Sequence, residues 1–126
     1  TTKDGFDAAM TMRFSMEHQN PLVAGTLKGK SGYYGHSFSL FEVTNPMILV
    51  WALKPAEEGI DNGIIMRVWN MSNSDEEFAV SSLSVINSCK LTSHIETDIS
   101  EIKPDSGLLK LKIGHNRIQT YRIFLK

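Results

Sequence analysis

Met47-Ile48-Leu49-Val50-Trp51-Ala52-Leu53 and Ile64-Ile65-Met66-Arg67-Val68-Trp69-Asn70 stand on either side of Lys54-Pro55-Ala56-Glu57-Glu58-Gly59 and Asp61-Asn62-Gly63. Two short runs rich in β-branched and aromatic residues, separated by Pro, Gly and an Asn-Gly pair, predict two antiparallel strands joined by a long loop. Asn and Gly tolerate the positive φ that a tight return requires. Both faces of residues 47–53 are apolar, which predicts a central strand covered on each side, with Trp51 in the core. Alternation in the second run sets Ile65, Arg67 and Trp69 against Ile64, Met66, Val68 and Asn70. A guanidinium in an apolar strand must reach a sheet edge, pair with a carboxylate or face an interface. An ordinary structural ion pair is the simplest of these.

Working outward, the same period of two recurs in short bursts. Phe6, Ala8, Met10, Met12 and Phe14 alternate with Asp7, Thr11 and Arg13, which predicts a half-buried strand before Asn20-Pro21. Residues 22–27 predict another short strand, and Phe38 and Leu40 open an alternation that runs to Val43. Phe78 and Val80 alternate with Glu77 and Ala79, while Ile95, Ile99 and Ile102 fit a helical stripe or an extended edge. Leu109, Leu111 and Ile113 precede a Gly114-His115-Asn116 turn and a last strand over 118–125. Eight to ten short strands with polar connections and no helix predict an all-β fold. The expected architecture is an antiparallel two-sheet β-sandwich forming one domain over 1–126.

Composition agrees. A chain of 126 residues and 14.1 kDa, 41% hydrophobic, holds one core and not two. Thirteen Lys and Arg against 14 Asp and Glu leave a net charge of −1, which argues against a whole-domain grip on nucleic acid or an anionic membrane. The basic residues Lys110, Lys112, Arg117, Arg122 and Lys126 follow acids at 96, 98, 101 and 105, a separation that suits cross-strand pairing. No apolar run approaches the roughly 20 residues that span a bilayer. A lone cysteine, Cys89, and no visible signal segment favour a cytoplasmic setting. Thr1-Thr2-Lys3-Asp4-Gly5 has neither an initiator methionine nor a signal pattern, so a piece of a longer polypeptide is expected.

Catalytic constellations are hard to find. His18, His36, His94 and His115 form no ligand pair at metal-binding spacing. Gly29-Lys30-Ser31 lacks the earlier glycine of a phosphate-binding loop, because position 24 is Ala. Nothing selects an acid/base pair among Glu42, Glu57, Glu58, Asp61 and Asp105. No catalytic residue and no metal ligand is therefore expected in this chain. Tyr33 and Tyr34, between Gly32 and Gly35, offer faces that stack on a sugar ring, so an independent carbohydrate-binding module is one alternative. A protein-interaction sandwich with a patch at Arg67 and Trp69 is another.

The segment from Ala52 to Gly59 with the one from Gly63 to Asn70 resembles the C-terminal β-domain of glycoside hydrolase family 38, the α-mannosidases and related sugar hydrolases. There a strand ends in a Lys-x-x-Glu-like stretch, a glycine-containing turn follows, and the next strand carries Arg-hydrophobic-aromatic-Asn. Lys54, Glu57, Gly59, Arg67, Trp69 and Asn70 match those features here. Ile118-Gln119-Thr120-Tyr121-Arg122-Ile123 is similar to the family's closing strand. The resemblance centres on residues 47–70 with support from 108–126. It implies a non-catalytic C-terminal domain that packs on the catalytic region of the same polypeptide and helps border the sugar cleft. The zinc and the aspartate nucleophile of such a glycosidase belong to that other region. Arg67 is then the first candidate for interdomain or cleft contact, and Lys54 and Glu57 steady the loop or face the same junction. Trp69 and Asn70 follow, since packing and a strand-ending turn already account for them.

Overall fold

In the computed structural model, which describes residues 6–21, 23–25, 37 and 39–126, a helix α1 (Ala8–Gln19) stands where alternation predicts a strand. Asp7 Oδ1 accepts from the Met10 N–H at 2.9 Å, and Thr11 Oγ1 donates to the Asp7 carbonyl at 2.7 Å. This cap and the helix formers Ala8, Ala9, Met10 and Met12 outweigh the period-two spacing. Positions 6, 10 and 14 also lie four apart, so one apolar pattern serves either structure. The helix closes with the Asn20 N–H on the Met16 carbonyl, ahead of Pro21. Arg13 Nη2 ties it to the Pro46 carbonyl at 2.7 Å, and Ala9 is its one buried residue. Of the strand expected over 22–27, residues 23–25 take no regular structure, and 22, 26 and 27 lie outside the described residues.

Eight strands follow among the described residues: β1 (Phe41–Val43), β2 (Ile48–Pro55), β3 (Ile64–Asn70), β4 (Glu76–Ser82), β5 (Ile86–Thr92), β6 (Asp98–Ile102), β7 (Leu109–Ile113) and β8 (Ile118–Leu125). They form two antiparallel sheets, ordered β1-β4-β7 and β2-β3-β8-β5-β6. The expected β2–β3 hairpin is present, with Val50 opposite Val68 and Lys54 opposite Ile65. Residues 93–102 resolve to a turn and the extended edge β6, not a helix. Between the sheets, Ile48, Met66, Val68, Phe78, Val80, Ile86, Cys89, Leu109, Leu111, Ile113, Tyr121 and Ile123 form one buried cluster. Alternation is cleanest in β7, where Leu109, Leu111 and Ile113 are buried and Lys110 and Lys112 are exposed.

The expectation of a central strand at 47–53 is corrected. β2 lies at the edge of its sheet, with β3 on one side and no strand on the other among the described residues. Ile48 and Leu49 are buried, but the register shifts between Val50 and Ala52, where β2 carries one residue more than β3. This bulge turns the extra residue, Trp51, toward Trp69 on the face away from the core, and leaves it 44% exposed. Apolar side chains on both faces of a strand signal burial only when both sides are covered. Here the far part of the run protrudes at an edge.

Candidate functional site

Successive residues of a strand face opposite ways, so Tyr121 and Ile123 in the core oblige Thr120 and Arg122 to point outward from β8. Across the β3 register, Arg67 lies opposite Thr120 and Ile65 opposite Arg122. Across β5, Lys90 lies opposite Arg122. An outward arginine on a sheet would normally be solvated, yet the Arg122 side chain is only 9% exposed. Two loops close over it.

The first is the β2–β3 connection, residues 56–63. Arg122 Nη1 donates to the Asn62 carbonyl at 3.0 Å and stands 3.4 Å from Glu58 Oε2. Gly63, at φ +99°, is where this loop crosses β8. A Cβ there would meet the Ile123 carbonyl oxygen at 3.0 Å and Arg122 Cγ at 3.1 Å, so only glycine passes. The second is the β5–β6 turn, residues 93–97, closed by the Ser93 N–H on the Thr97 carbonyl at 2.8 Å. Arg122 Nη2 donates to the Glu96 carbonyl at 2.8 Å. Arg67 Nη2 donates to the His94 carbonyl at 2.8 Å, and its Nε to Thr120 Oγ1 at 3.2 Å. Two arginines from adjacent strands thus grip one turn by its backbone.

Carboxylates complete the clamp. Glu96, at φ 65° and buried, ion-pairs through its carboxylate with Lys54 Nζ and accepts the Glu57 N–H at 3.0 Å, joining the two loops directly. Asp98 pairs with Lys90 Nζ at 2.6 Å and stands 3.2 Å from Arg122 Nε, which is not aimed at it. The Lys54 hydrogen bond, helped by the Glu57 N–H and the neighbouring charges, holds the Glu96 carboxyl below its ordinary pKa against its burial. The Lys90 hydrogen bond does the same for Asp98, with Arg122 adding to it.

A group whose folded pKa is depressed stabilises above its unfolded pKa and loses that contribution as pH falls through the folded value. Urea midpoints are therefore expected to be level near neutrality and to fall below about pH 4.5, the ordinary value for Glu96. Lys54→Met should lower the midpoint at neutral pH and make the acid decline shallower. An unchanged acid slope in that variant would show that the Glu96 pairing contributes nothing.

The structure brings Lys54, Arg67 and Trp69 to one sheet face. Glu57 joins through its backbone N–H, while its side chain is exposed. The carboxylate expected beside Arg67 is replaced by a carbonyl and a hydroxyl. Asn70 points the other way and is fully buried. Tyr33, Tyr34 and His36 lie outside the described residues. The expected pairing of the acids at 96–105 with the later bases is met by Asp98 with Arg122 and Asp105 with Lys110, while Glu96 pairs with Lys54 instead. Arg122, Glu96 and Trp51 were not expected in a site; Arg122 carried the same signal as Arg67, a lone guanidinium between buried apolar neighbours, whereas only the folded turn buries Glu96.

Burial pushes the Cys89 thiol up to about 12, so it stays protonated at neutral pH. Among the described residues, no three of His, Cys, Asp and Glu converge to hold a metal, and Glu96 and Asp98 both lie against cations, so this donor set does not fit zinc. No helix among them is long and apolar enough to cross a membrane. In comparison with known proteins, residues 48–121 match the family described as glycosyl hydrolases family 38 C-terminal beta sandwich domain. The matched stretch runs from the start of β2 into β8 and takes in Lys54, Arg67, both loops, Asp98 and Thr120, ending one residue before Arg122. No curated protein matches the chain.

Proposed function

The chain belongs to the glycosyl hydrolase family 38 C-terminal β-sandwich domains, and from that membership we propose that it is the non-catalytic terminal domain of an α-mannosidase-like glycoside hydrolase, packed on the catalytic region of the same polypeptide. One observation carries this reading. The charged groups on the sheet face of the matched domain answer one another and fix two loops, which is the work of a shape-holding scaffold. Bond cleavage, with its zinc and its nucleophile, is assigned to the catalytic region. Arg67 Nη1 makes no hydrogen bond among the described residues, which leaves it available to a neighbouring region or to a sugar hydroxyl at the cleft. An aryl α-mannoside incubated with this chain and zinc is expected to release no aryl alcohol above the protein-free rate. Turnover abolished by a substitution in this chain would defeat the assignment.

A carbohydrate-binding role has one observation in its favour. Trp51 projects from the β2 bulge with its ring centroid 5.7 Å from that of Trp69, edge to face, a partly exposed aromatic surface in a glycosidase-family domain. On this second reading, titration with methyl α-mannoside quenches or shifts the tryptophan fluorescence saturably, and Trp51→Ala abolishes the change. No saturable response would remove it.

A further inference from the structure

The sheet faces do not account for the largest apolar exposure near the amino-terminal side of the domain. Phe6, Met10 and Phe14 are 83%, 63% and 71% exposed and lie four residues apart along α1 and its approach, so they form one stripe. Two phenyl rings and a thioether at such exposure leave on the order of 400 Å² of apolar surface in water, the scale at which patches on soluble domains mark interaction sites. The stripe belongs to a helix already seated on the sandwich through Ala9 and the Arg13–Pro46 hydrogen bond. Met10 and Phe14, with Pro46 and Met47, border a groove of about 490 Å³ between helix and sandwich. The three-stranded sheet is the contrast, since Glu77 lies opposite Lys112 there and Lys110 is exposed beside them, a surface suited to water.

We propose that the Phe6–Met10–Phe14 stripe is the surface by which this domain docks on the region of its own polypeptide that precedes it; the proposal rests on the function proposed above. Position selects the occupant. The matched sandwich starts at residue 48, and α1 lies on its amino-terminal side. In a C-terminal domain the rest of the enzyme joins the chain ahead of this helix. The helix leading into the sandwich therefore reaches the preceding region before any other element does, and it presents apolar side chains there.

Hydroxyl-radical footprinting of the 126-residue chain and of the complete polypeptide that contains it tests this directly. Oxidation of Phe6, Met10 and Phe14 is expected to fall at least fivefold in the complete polypeptide, with Trp51 changing less. Met10→Glu with Phe14→Glu should leave the unfolding midpoint of the short chain unchanged and restore oxidation at Phe6 in the complete polypeptide. Protection found instead at Trp51 or Ile95 would overturn the docking surface while leaving the domain reading intact. Protection in the short chain alone that disappears on dilution would assign the stripe to a second copy and overturn the proposal. A complete polypeptide with no hydrolase region before the domain would overturn both readings.

Discussion

Asn70→Asp is expected to destabilise the domain by about 3 kcal/mol or more at pH 7, although it removes no volume. Asn70 is fully buried, and every polar atom of its side chain is used. Its Oδ1 accepts the Ser72 N–H at 2.8 Å, and Nδ2 faces the carbonyls of Ser74 at 2.8 Å, Gly114 at 3.1 Å and Ile113 at 3.4 Å. The side chain joins the β3–β4 corner to the turn between β7 and β8, so it holds the two sheets at one end. A carboxylate there would keep the acceptor and set negative charge against three carbonyl oxygens. The new carboxyl would have its pKa raised in the fold. Its penalty would therefore be small at low pH and would grow as pH rises above the unfolded value of about 3.9. Asn70→Ala should cost about 2–3 kcal/mol without that pH dependence. Urea unfolding at several pH values checks both, and a neutral Asn70→Asp would show that the corner is not held by this side chain.

Arg122→Met is expected to cost about 3 kcal/mol and to loosen the clamp before the sandwich as a whole. The variant keeps the apolar stem and deletes the donors. It leaves the Asn62 and Glu96 carbonyls without their guanidinium partner and takes from Asp98 one of its two cations. Arg122→Lys should recover little, because one ammonium cannot span two carbonyls that the planar fork reaches together. Amide hydrogen exchange distinguishes this local role from a general loss of stability. Residues 93–97 should exchange faster in Arg122→Met under conditions where β7 remains protected. Uniform acceleration, or none, would contradict a clamp built on this side chain.

Much of the sandwich was legible because strand periodicity is local. Leu109, Leu111 and Ile113 alternate with lysines whatever lies around them, and the Asn-Gly return between β2 and β3 is a property of a few adjacent residues. Misreadings arose where two structures share one pattern. Spacing of four at 6, 10 and 14 fits a strand face as well as a helix face, and the Asp7 cap decided between them. At 47–53 the composition was read correctly as strand, but its place at the sheet edge depends on which strands pair with it.

The site divides in the same way. Arg67 was marked by its own sequence, because a guanidinium in an apolar run must find partners. That those partners are the His94 carbonyl and the Thr120 hydroxyl follows from a turn folding back across two strands, a contact between residues 27 and 53 positions apart. The amino-acid order by itself determined strand composition, turn chemistry and family kinship, all of which reside in neighbouring residues. Tertiary structure alone decided the edge position of Trp51, the burial of Glu96 and the joining of two loops over Arg122. Sheet order and loop closure are set by pairing between distant segments, and no short window of the chain contains that information.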